Sequence, residues 1–231
     1  MKSRRGRALL VVALMVGAGC SRRDSSIPLD SPLRLSVKAR QAKARGLREI
    51  SLPADLGCPM DVLSIEDVFN RHDVVTALLM DQQSVTARDL ELGTWYKFRI
   101  VSRIWTRKID TFPPASSDYR PRKLLPLSPD EVLIGGPDGA VEIEGVTINS
   151  RLDGGPFFRK GTTYLLFLMV DRRWQTAEIP LKSDGIFKVI DGRIFPRGDK
   201  SHPLVAALRE MDHNSLASLQ KRLGWQPIKY Q

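Results

Sequence analysis

The side chains able to do chemistry in this sequence are few and scattered. Its histidines are His72, His202 and His213. No two share a spacing such as His-x-x-x-His, which would present both imidazoles to a metal from one helix face. No metal site is expected. His202 precedes Pro203 where a helix should begin, and His213 falls between two helices, both capping or surface positions. Cys58 is a nucleophile by type, but Leu56-Gly57-Cys58-Pro59 matches no motif joining it to a histidine base, so a structural thiol is expected. No Gly-x-Ser-x-Gly elbow occurs. Asp171, Asp184 and Asp191 sit in or beside turns, the usual place for Asp. Gly135-Gly136 and Gly154-Gly155 each adjoin a proline and lack the strand–loop–helix setting of a phosphate cradle. No cofactor is expected. A hydrolase whose site assembles from separate segments stays open as the alternative to a binding protein.

One stretch has the chemistry of recognition. From Gly93 to Trp105 the chain alternates, with Tyr96, Phe98, Ile100 and Ile104 on one face of an expected strand. The other face carries Trp95, Lys97, Arg99, Arg103 and Trp105. Two indoles and three cations on one face would hold an anionic polymer through charge and stacking. The alternative is structural: both rings pack under the N-terminal segment or the C-terminal helices, covered by Lys and Arg stems.

Where the protein works decides which polymer that would be. Met1 to Arg7 is basic, Ala8 to Val16 is apolar, and small residues follow, which reads as a secretory signal over residues 1–19. The apolar run falls short of the ~20 residues of a membrane-spanning helix. Gly17-Ala18-Gly19-Cys20 resembles the lipobox of bacterial lipoproteins, with Gly17 where that motif usually has Leu. The resemblance implies lipid on Cys20; a secreted or periplasmic soluble protein is the alternative. Arg4-Arg5 starts a twin-arginine pattern that Arg7 and Ala8 do not continue. Ser21 rather than Asp follows the cysteine, which in enteric-type sorting favours the outer membrane. Export makes nucleic acid an unexpected ligand. An anionic envelope polymer or another envelope protein is the expected partner.

The formal charge of +10 describes the leader and an arm. It falls to +6 without Lys2, Arg4, Arg5 and Arg7, and residues 21–50 hold eight Lys/Arg against Asp24, Asp30 and Glu49. That arm should be drawn to anionic headgroups beside the anchor. Cys20 being spent, Cys58 has no intramolecular partner, and the chain is long enough to bury a core without a disulfide.

These residues need elements to position them. Residues 20–33 read as a flexible tether. Residues 34–70 hold a basic helical arm, with Leu35, Ala39 and Ala42 on one side, and a short helix capped by Ser64. Residues 71–231 read as a β-domain with C-terminal helices. Asp73–Met80 and Gly93–Trp105 are strands, 107–130 a long loop, and Glu131–Ile134 with Ala140–Ile143 a hairpin across Gly-Gly-Pro-Asp-Gly. A parity change at Glu144-Gly145 predicts a bulge. Thr163–Val170 is apolar throughout and needs cover on both faces. Asp191-Gly192 turns a second hairpin, and two helices follow, opened by Pro203 and by Asn214. The class is α+β: a small OB-like, partly open antiparallel β-barrel with an N-terminal helical arm and a C-terminal helix pair.

Thr94-Trp95-Tyr96-Lys97-Phe98-Arg99-Ile100, the run Gly139 to Val146, and Phe158-x-x-Gly161-x-x-Tyr164-Leu-Leu-Phe-Leu168 resemble an uncharacterised family of exported bacterial proteins, in the same order from about residue 34 to 223. That resemblance implies export and fold and carries no known activity. In fold the chain is also distantly similar to netrin-like domains, which are OB barrels. Those begin with Cys-x-Cys, where this chain has Cys58 alone.

Overall fold

Local signals account for most of the elements. The computed structural model describes residues 34–53, 64–87, 89–107, 122–151, 158–171, 175–196, 201–211 and 215–222. They form, in order, α1 (Leu35–Ala44), β1 (Glu49–Pro53), α2 (Ile65–Arg71), β2 (Asp73–Ala87), β3 (Glu91–Trp105), β4 (Glu131–Gly136), β5 (Gly139–Ile143), β6 (Val146–Arg151), β7 (Thr163–Asp171), β8 (Thr176–Glu178), β9 (Ile186–Ile190), β10 (Arg193–Phe195), α3 (Pro203–Glu210) and α4 (Leu216–Arg222). The fold is α+β, as expected. The leader, Cys20, the tether, Cys58, His213 and residues 108–121 of the expected long loop lie outside the described residues.

Ser64 caps α2 by accepting the Asp67 N–H at 3.2 Å, and Glu66 and Asp67 in the first turn suit the positive end of the helix. For α4 the expected cap, Asn214, lies outside the described residues; Ser215 supplies an Oγ that accepts the Ser218 N–H at 3.0 Å. β1 was not anticipated. It pairs in parallel with β6, and β6 pairs antiparallel with β5, giving a small sheet of order β1-β6-β5.

The larger sheet has the order β10-β9-β7-β2-β3-β4-β8, and β7 also pairs with β8. Pairing therefore returns on itself through β7, β2, β3, β4 and β8, with β9 and β10 continuing from β7. One core lies on one side of these strands, with Phe98, Tyr96, Phe158, Tyr164 and Leu166 in it. The aromatic members meet edge to face: Phe98 and Phe158 at 4.9 Å, Phe158 and Tyr164 at 5.1 Å. A second core lies between the other side and the helices, where Leu165, Phe167 and Phe187 meet Leu204, Val205, Leu208 and Leu219. This is why β7 needs no polar face: Tyr164 through Val170 are all buried, with Tyr164, Leu166, Leu168 and Val170 in the first core and Leu165 and Phe167 in the second. Leu35, Ala39 and Ala42 of α1 pack with Val146, Ile148 and Leu92 in a third core over the small sheet.

Two turn expectations are corrected. β4 and β5 do not form a hairpin: β4 pairs with β3 and β8, β5 with β6. Gly135-Gly136-Pro137-Asp138-Gly139 instead carries the chain from one sheet to the other, pressed onto β3. Tyr96 donates to Asp138 Oδ1 at 2.5 Å inside the protein, and a Cβ on Gly136 would lie 2.8 Å from the Tyr96 ring. Glu144-Gly145 is not a bulge but the two-residue turn of the β5–β6 hairpin, with φ of 51° and 79°. Positive φ at both positions matches the right-handed twist of the strands that follow. The β9–β10 hairpin forms as expected, with Asp191 and Gly192 at 50° and 72°.

Candidate functional site

The row of Trp95, Lys97, Arg99, Arg103 and Trp105 does not run along a single face. Ala77 pairs with Ile100 and Thr76 with Ser102, so Val101 is an extra residue in β3; Ile104 is a second, between Arg103 opposite Val75 and Trp105 opposite Val74. Each extra residue reverses the alternation. Arg103 thereby leaves the row of Lys97 and Arg99 and lies opposite Val75, a member of the first core. Trp105 packs into the second core.

Trp95, Lys97 and Arg99 do lie together, each with neighbours. The Trp95 ring covers Gly135, about 4.0 Å from where a Cβ there would stand. Lys97 Nζ is 2.9 Å from Glu131 Oε2 and donates to the Pro126 carbonyl at 3.3 Å. Burial alone would push the Glu131 carboxyl up, but the Ser128 N–H and the Lys97 ammonium hold it below its ordinary value. Arg99 Nε lies 3.9 Å from Asp130 Oδ2, both half exposed. An anionic polymer here would compete with two carboxylates of the protein itself.

Trp105 belongs to a different feature. Its Nε1 donates to the Phe69 carbonyl at 2.6 Å, and its ring meets Phe69 edge-on at 5.9 Å. Around it opens a cleft of about 380 Å³ between α2, α3 and α4. Ile65, Phe69 and Asn70 line it from α2, Leu204, Ala207 and Leu208 from α3, and Leu219 from α4. The α3 residues recur at the spacing of one helix face, which is the signal sequence reasoning had; it pointed to core. Three helices from separated segments must assemble before that face becomes the wall of an opening. Glu66 is the ionisable side chain among the described residues that line it.

Beside α2 lies a buried polar group that straps three strands together. His72 is wholly buried; its Nδ1 donates to the Val68 carbonyl at 2.8 Å, and its Nε2 has no hydrogen-bond partner among the described residues. Burial holds its pKa below the usual 6.5, opposed in part by the bond to Val68. Asp73 Oδ1 accepts the Arg107 N–H at 3.2 Å, and Arg107 Nη2 donates to the Val170 carbonyl at 3.0 Å. The Arg107 and Asp73 charges stand 3.7 Å apart, each 5% exposed. These bonds tie the end of β3 to the start of β2 and to β7. His202 ends the approach to α3 without a side-chain cap bond. Among the described residues no three His, Cys, Asp or Glu side chains gather as a metal would need. No protein-family model and no curated protein matches this chain.

Proposed function

We propose that the chain is an exported module, held to the cell envelope by lipid on Cys20, that binds a segment of another envelope protein in the cleft between α2, α3 and α4. The observation that carries the binding reading is the lining of that cleft: Phe69, Trp105, Leu204, Leu208 and Leu219 present apolar surface, and Glu66 contributes the one carboxylate among the described lining residues. Hydrolysis calls for convergent acid, base or nucleophilic groups, and the described lining residues bring one. An apolar opening with a few polar groups is the usual form of a binding pocket. The favoured occupant is an apolar or aromatic side chain with a cation nearby to meet Glu66. An anionic polymer on Trp95, Lys97 and Arg99 is the less supported site, because Glu131 and Asp130 already face those cations. The return of pairing through five strands supports reading the larger sheet as an OB-like, partly open barrel.

A photoreactive residue at Ala207, introduced into the protein in intact envelopes, tests the cleft. A discrete adduct with one protein is expected, lost when Asn70→Trp, at a half-buried position of the lining, fills the opening. The same adducts from a photoreactive residue at exposed Lys160, or no change on filling the cleft, would end this reading. Intact mass of the native N-terminus tests the anchor: a start at Cys20 with added acyl mass is expected, and any other start without it removes the lipid.

A further inference from the structure

The basic arm expected from composition is, in its helical part, a surface of fixed direction. The start of α1 is held by Asp89, whose backbone carbonyl accepts the Leu35 N–H at 2.7 Å and whose carboxylate accepts the Ser36 N–H at 3.0 Å. Its end closes through the Leu47 N–H to the Ala42 carbonyl at 2.9 Å, with Gly46 at φ 74°. Between these ties, Leu35, Ala39 and Ala42 are buried against the small sheet.

Residues 34–48 contain Arg34, Lys38, Arg40, Lys43, Arg45 and Arg48 and no acid. With ~3.6 residues per turn and Leu35, Ala39 and Ala42 inward, half-buried Val37 and exposed Gln41 and Ala44 fall on the outward side. Arg40 and Lys43 run along one flank, Lys38 along the other. Leu47, 47% exposed, follows at the end. Glu144 pairs with Arg40 at 3.7 Å, both largely exposed, which leaves a large cation excess. Cations flanking such a mixed strip draw a helix onto an anionic bilayer mainly through charge.

We propose that the outward face of α1 and the turn through Arg48 dock onto anionic lipid headgroups, so that the protein sits on its membrane in one orientation. This rests on the export reading and goes beyond it, since a tether alone sets no orientation. Leu35 is fifteen residues beyond Cys20, a link that spans at most about 50 Å, so the anchor keeps α1 within reach of the same bilayer. A soluble polyanion would meet the cations but would have no use for Val37, Ala44 and Leu47.

The test uses the mature chain from position 20 carrying Cys20→Ser, so no acyl group contributes, and vesicles of phosphatidylcholine alone or mixed with phosphatidylglycerol. Binding is expected to the mixed vesicles only. Lys43→Glu, Arg45→Glu and Arg48→Glu together should weaken it by about a hundredfold or more, since each cation near such a surface contributes about fivefold. Reversing Arg122, Lys123 and Arg159, also exposed, should cost far less. Leu47→Ser should remove the part of binding that survives high salt. Equal losses from both triple variants would overturn the proposal in favour of diffuse charge. Displacement by a soluble sulfated glycan, with Leu47→Ser silent, would overturn it in favour of a polymer site. The unchanged melting temperature of each variant shows that the fold is intact. The mass of the native N-terminus decides the anchor separately, so either idea can fail while the other stands.

Discussion

His72 ends α2 with its ring out of water, and its Nδ1 must carry the hydrogen because the Val68 carbonyl can only accept. The folded state therefore keeps the imidazole neutral to lower pH than the unfolded chain, whose pKa is near 6.5. Between those two values the unfolded chain binds more protons, so stability is lost as pH falls through that window. His72→Gln should flatten the dependence of the denaturation midpoint on pH just below 6.5, and an unchanged slope would place the acid sensitivity elsewhere. Glu131 titrates lower: its carboxyl is held below 4.5, so the stability it lends is present above that pH and lost as pH falls further. Alternation marks Lys97 as a surface residue, worth less than ~0.5 kcal/mol. The pair with Glu131, whose side chain is 9% exposed, changes the expectation. Lys97→Met should cost ~1–3 kcal/mol at neutral pH, the usual loss when a hydrogen bond to a buried charge is removed, measured by chemical denaturation.

Strands and turns show how far local pattern reaches. Alternation was enough to place Tyr96 and Phe98 in the core, because side chains of a strand reverse with every residue. It misplaced Arg103, and put Ile104 with Phe98 when it lies in the second core, because the extra residues Val101 and Ile104 are visible only against the partner strand β2. The glycine-rich link after β4 has hairpin composition, and composition does not say which strand β5 will pair with. Contact decides it: Asp138 bonds to Tyr96, and Gly136 lets the backbone lie against that ring. Gly136→Ala should force the ring or the link to move and cost ~1–3 kcal/mol, as overpacking does. Wild-type stability in that variant would mean that the crossing is not held by this contact.

At the scale of the whole molecule the three cores predict how the protein comes apart. The third core is small and consists of α1, the small sheet and Leu92 of β3. Elements with few buried contacts open first. Amides of α1, β1, β5 and β6 should therefore exchange with solvent before those of β7 and β2, and Leu35→Ala, at ~2–5 kcal/mol for a wholly buried leucine, should speed exchange in that unit most. Uniform exchange across both sheets would show one cooperative unit. The sequence by itself determined the α+β class, the unbroken apolar strand that both cores share, the cap at Ser64, the start of α3 at Pro203, and the amphipathic side of α1. Each of these rests on residues a few positions apart, whose geometry is local. Only the tertiary structure decided that the arm contributes a strand, that Lys97 and Arg99 face carboxylates, and that Trp105 stands in a cleft among three helices. Those facts depend on which distant segments pack together, and the residues concerned are separated by tens of positions that no local period connects.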